Sequence, residues 1–289
     1  MATTTKTVKK SPTTRKTTPP KQTAKIVSKP KTYTGKVWDR TAPYRVNSWL
    51  FAYVLVAIGA PQITLLWRPM VGTYVTVASL AALIILAAKS PKARTVAISA
   101  AILPLVTMVN LCLPQTGTFA QMVVFYDSLL LLALVYRFMF TLDEPVENTQ
   151  LTARGYAFAL PLMIVIGQVL GVIGYFMLRN HYDYKAISLP LVAAASVVFA
   201  FAEETFFRGL LQQRAARVLH PAVATLLSIV AYSLTSVGTS TILPAVMALL
   251  SGSVLSLTYY KKQNLILTTT INATTKLVFI GLLATFVLK

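Results

Sequence analysis

Glu203 and Glu204 close an apolar run, Val197 to Ala202, and are followed by Thr205, Phe206, Phe207 and Arg208. Two carboxylates with a base four residues on can divide labour. On a helix Glu204 and Arg208 share one face and can pair, whereas Glu203 lies about 100° round the axis and is free to point elsewhere. One acid is then structural. The other can act as a general base, taking a proton from a water that attacks a carbonyl carbon. The plainer reading is an interfacial acid pair at a helix end, with its charges reaching out to water.

Few other groups compete for the role. The chain has eight acids, and only Asp127, Glu203 and Glu204 fall inside apolar runs; Lys276 is the one base that does. Ionisable groups in such places are expensive and mark functional candidates. Asp127, between Tyr126 and Ser128, can be structural, pair with Lys276, or line a polar cavity or transport path. The two histidines, His181 and His220, are expected at the membrane boundary, so His and Glu together make no three-ligand metal site. No metal and no cofactor are expected.

The elements that must hold these residues are helices in a bilayer. Of 289 residues 55% are hydrophobic and 12% charged, with apolar runs of the length that spans a membrane as helix, about 17 to 25 residues. A soluble core would need charged faces on its helices, and those are missing after Trp49. The spacing predicts an all-α, polytopic transmembrane bundle of eight or nine spans: 49–66, 71–88, 95–113, 119–140, 156–178, 187–204, 221–237, 242–260 and 265–288. The first is interrupted by Pro61 and Gln62, so it either crosses or re-enters. The chain divides into a basic tail (1–46), N-terminal transmembrane helices (47–186) and a second membrane domain (187–289).

The net charge of +19 belongs mostly to the tail, which carries twelve of the 27 basic residues and one acid, Asp39. Its Thr, Lys, Pro and Ser composition buries too little surface to order it. Its expected partner is anionic lipid rather than nucleic acid. With the tail on the cytoplasmic side, inner segments hold 22 basic residues and outer segments four, Arg68, Arg179, Lys185 and Lys289. The positive-inside rule then places the N-terminus of this multi-pass protein in the cytoplasm.

The stretch Glu203-Glu204-Thr205-Phe206-Phe207-Arg208-Gly209 resembles the EExxxR motif of the CAAX prenyl protease and bacteriocin-processing family, the intramembrane glutamate endopeptidases of the type II CAAX protease and lysostaphin resistance A-like kind. Tyr259 to Leu265 is similar to that family's short turn before its last motif helix. The resemblance covers roughly residues 187 to 289. It implies peptide hydrolysis within a helical bundle, with prenylated or transmembrane peptides as partners. It also implies a glutamate and two histidines that position the attacking water, in the motifs FxxxH and HxxxN.

Both histidines are absent. The second motif falls on Tyr232 to Ser236, with Ser236 in the histidine's place; the third falls on Asn272 to Lys276, with Asn272 for histidine and Lys276 for asparagine. Serine and amide groups do not take up and release protons near neutral pH as imidazole does. A shared polar cluster is still expected: Glu203 lies about 24 Å along its helix from the outer side and Asn272 about 10 Å from the inner side, so in about 30 Å of hydrocarbon they meet at similar depth. Lys276 is expected to neutralise Glu203 or Glu204. Three functions compete. The first is a degenerate member that binds or scaffolds membrane peptides. The second is an active endopeptidase in which Glu203 activates water while Ser236, Asn272 and Tyr232 support the oxyanion. The third is a small transporter lined by Asp127, Glu203 and Lys276.

Overall fold

A computed structural model describes residues 48–112, 118–140, 149–180, 189–236 and 242–286. The basic tail, His181 and the ends of several expected spans lie outside them. The described residues form helices and no strand: α1 Ser48–Trp67, α2 Pro69–Lys89, α3 Arg94–Leu111, α4 Thr118–Phe140, α5 Ala153–Leu178, α6 Leu189–Glu204, α7 Pro221–Thr235, α8 Leu243–Lys262 and α9 Leu265–Phe286. Beyond Glu204 the rod of α6 continues as a π-helix, Thr205–Gln212, and one α-helical turn, Gln213–Ala216.

Seven of these helices, α1 to α5, α8 and α9, are long and apolar enough to cross a membrane, and the chain is an integral multi-pass membrane protein. Of the eight or nine spans expected, the described residues show these seven and two shorter α-helices, α6 with 16 residues before the π-helix and α7 with 15. The apolar run of α6 stops at the acid pair, and α7 ends at Thr235. The first expected span is one continuous helix through Pro61. Gln62, which looked like an interruption, is buried, and its Nε2 donates to Thr107 Oγ1 on α3 at 3.1 Å.

The rod of α6 is the hub, with α4, α7 and α9 packed around it and α5 laid against α9. Two basic residues counted with the cytoplasmic segments are elsewhere. Arg208 and Arg214 are fully buried, because the rod past Glu204 turns inward on all sides: every residue of the π-helix, Thr205 to Gln212, and of the turn after it, Gln213 to Ala216, is buried. π-helical turns inside helices are rare and concentrate at functional sites.

The α5–α9 contact sets the register of the last helix. A Cβ on Gly167 would lie 2.6 Å from the Ile271 carbonyl oxygen, and one on Gly171 would lie 2.7 Å from Val278 Cβ. Only glycine lets the two backbones approach this closely. At its start α9 is anchored too. Gln263 takes a left-handed conformation, φ 48°, closing α8, and Asn264 Oδ1 accepts from Leu267 N at 3.1 Å. Asn264 Nδ2 donates to the Thr149 carbonyl and to Tyr156 Oη, both at 2.8 Å. The turn predicted between Tyr259 and Leu265 is therefore a clasp joining α8, α9 and the segment before α5.

Candidate functional site

Where the α-helical part of α6 gives way to the π-helix, the two carboxylates part company. Glu204 is fully buried; its Oε1 accepts from Arg208 Nη1 at 3.1 Å, the i to i+4 pair expected from the spacing. Arg208 Nη2 donates to the Gly252 carbonyl on α8 at 3.3 Å. Its guanidinium lies over the rings of Tyr232 and Phe207, 4.8 and 5.8 Å from their centroids. Gly252 makes this possible from the far side, since a Cβ there would stand 2.8 Å from Tyr232 Cδ1.

Glu203 points the other way, and three helices meet on it. Lys276 Nζ lies 3.0 Å from its Oε1, while Oε2 accepts from Tyr232 Oη at 3.0 Å and from Asn272 Nδ2 at 2.8 Å. Asn272 also reaches Glu204 Oε1 at 2.9 Å and so bridges the two acids. The alternatives for Lys276 resolve to Glu203. Two anions and two cations are thereby closed into one low-dielectric cluster, in which each charge has a partner, as burial demands.

A residue that sequence reasoning passed over completes the ring. Tyr126 of α4 hydrogen-bonds to Glu203, carries the Lys276 ammonium 5.1 Å over its ring and stacks on Phe199 at 4.4 Å. Its neighbour Asp127 is exposed, outside the cluster. Adjacent helical residues point about 100° apart, so only one of the two could face inward, and the acid drew attention from the phenol. His220 caps the start of α7, its Nδ1 accepting from Ala222 N at 3.3 Å.

Beside Glu203 lies a cavity of about 160 Å³ whose walls include Tyr126, Tyr232, Ser236, Asn272 and Lys276, with apolar surface from α5 and α8. The cluster Glu203, Glu204, Arg208, Tyr232, Asn272 and Lys276 is in mutual contact, Ser236 stands on the cavity wall, and Asp127 is not part of either. A water bound here competes with Lys276, Tyr232 and Asn272 for the lone pairs of Glu203. The cavity has the size for a small water cluster, at about 30 Å³ each, or for one side chain of a peptide. Among the described residues no three His, Cys, Asp or Glu side chains come close enough to hold a metal ion.

Compared with known proteins, residues 185–278 match the family described as type II CAAX prenyl endopeptidase Rce1-like. No curated protein and no solved structure matches the chain.

Proposed function

We propose that this protein, whose residues 185–278 match the type II CAAX prenyl endopeptidase Rce1-like family, binds membrane peptides, prenylated or transmembrane, without cutting them. The observation that carries the reading is the ion pair between Lys276 and Glu203 at 3.0 Å. A base needs a free lone pair facing the water. Here the carboxylate of Glu203, with about four lone pairs, meets an ammonium, an amide and the phenols of Tyr232 and Tyr126, and no imidazole stands beside them. General acid–base assistance is typically worth about 10² to 10⁴ in rate, and this site has given up the groups that provide it. What persists is a cavity with a charged floor and apolar walls, a design for holding a chain with a polar end.

The second domain (187–289) carries this site in our reading. The preceding helices (47–186) serve as its frame, with α5 seating α9 and α4 lending Tyr126. The split of 20 basic residues to four that remains once buried Arg208 and Arg214 are set aside supports a cytoplasmic N-terminus, and we place the protein in the cell membrane with its tail held against anionic lipid. Purified protein incubated with prenylated and transmembrane peptides should bind a subset and leave all intact, and E203A should not alter the product pattern. Cleavage that vanishes in E203A would establish the endopeptidase instead, with the cavity water attacking the peptide carbonyl.

A further inference from the structure

We infer that the outward face of α4 at Asp127 docks a transmembrane helix of another protein, one that carries a lysine or arginine near the middle of its span. This surface is separate from the cavity at Glu203, and the inference stands apart from what that cavity binds.

Asp127 is the intramembrane acid that the polar cluster leaves unused. Acids inside membrane spans almost always face the bundle interior or a water-filled cavity. Asp127 does the opposite. It is exposed, and among the described residues it makes no hydrogen bond and no ion pair. Successive helical residues turn by about 100°, so Leu129, Ala133 and Tyr136, the buried residues of α4, lie about 180–240° round the axis from Asp127. The carboxyl group sits on the back of the helix.

Depth makes that position costly. Asp127 is two residues from the midpoint of α4, Thr118–Phe140, about 3 Å along the axis, and the nearer helix end is about 14 Å away. Lysine and arginine lay a long stem along a helix towards water; aspartate has none. The shape of the face matches the chemistry. Asp127, Leu131, Leu134 and Phe138, spaced by four, three and four, fall within an arc of about 60°. All four are exposed, Phe138 to 70%. This is the seam along which one helix meshes with another. Of the seven long apolar helices α4 is the least buried, and its neighbours, α3 and the α6 rod, take its opposite side.

Charge complementarity selects the occupant. Apolar surface gives helices in lipid little reason to associate, so a polar pair decides which helix docks. A basic residue opposite Asp127 removes both groups from lipid at once. The chain itself has none to offer. Residues 112–117 and 141–149, on either side of α4, include no lysine, arginine or histidine. A second copy docked about a two-fold axis would set acid against acid. Its bases at comparable depth, Lys276 and Arg208, are held by Glu203 and Glu204.

Defined peptides test the inference. Leucine-rich helices of about 23 residues, with lysine, leucine or glutamate at the centre, are labelled with a donor dye. The full chain is labelled with an acceptor at Cys112, exposed beside the end of α3, and placed in neutral phosphatidylcholine vesicles. A central lysine reaches Asp127 whichever way the peptide runs. Energy transfer should show the lysine peptide binding at least tenfold more tightly than the other two. D127N should erase that preference, and D127K should transfer it to the glutamate peptide; if D127K does not fold, D127N alone decides. Three peptides that bind alike would overturn the inference. So would a lysine preference that survives D127N, because the cation is then held elsewhere, as it would be by capture in the cavity. Energy transfer between two labelled copies of the protein without peptide, lost in D127N, would give this face to a second copy and overturn the foreign helix.

Discussion

Glu204 and Arg208 illustrate how a buried pair commits a protein. Removing one partner leaves the other charge without water or counter-ion, and R208A should cost about 3–5 kcal/mol. The double variant R208A/E204Q should recover part of that loss, because the orphaned charge goes with it. Unfolding of both in detergent, compared with the parent and E204Q as a double-mutant cycle, measures the coupling. This pairing was legible from residue spacing alone, as was the reach of Lys276 to a carboxylate from its depth on α9. Tyr126 was not, since an almost wholly apolar helix has no polar face from which its inward side can be read. The burial of Arg208 and Arg214 was equally hidden: a basic residue near a helix end has the same letter whether it lies in the core or at the headgroups.

Helices turn these single contacts into a site by holding α9 in register. The Gly171 approach predicts that G171V, forcing methyl groups against Val278 and the Thr275 carbonyl, loses about 1–3 kcal/mol. By contrast G281A, where a Cβ meets nothing within 4 Å, should gain about 0.5–1 kcal/mol from restricted unfolded-chain freedom. Thermal midpoints of the two variants in one detergent decide between a packing effect and a general preference for alanine. The π-helix is the feature of α6 that composition conceals, because Thr205 to Gln212 reads as ordinary helix. Deleting Gly209 would return this stretch towards α-helical winding and rotate Gln212 and Arg214 by about 100°, out of their buried surroundings. A large fall in the monodisperse fraction on size exclusion is the expected result.

For the whole molecule the number of helices and nearly all their boundaries were readable, since apolar run length is a strong constraint in a bilayer. The two shorter α-helices among the described residues, α6 and α7, carry Glu203 and Tyr232 of the polar cluster. The expected orientation does not lean on the tail alone: with buried Arg208 and Arg214 set aside, the segments outside the tail still divide eight basic residues against four. A chain lacking residues 1–46 should therefore insert with unchanged sidedness, as read by reporter fusions at the α2–α3 and α7–α8 connections. Inverted reporters would show that the tail alone directs insertion.

The clasp at Gln263 and Asn264 has a mechanical meaning for this molecule. It pins the starts of α5 and α9 to the same corner as the end of α8, while the glycine contacts hold α5 and α9 close along their lengths. A helix so held pivots at its pinned end, so its free end travels furthest. Over the 22 residues of α9, about 33 Å of helix, a tilt of about 5° sweeps the tip by about 3 Å. The corner that looks least like a working part is thus the one that fixes the depth at which Asn272 and Lys276 meet Glu203.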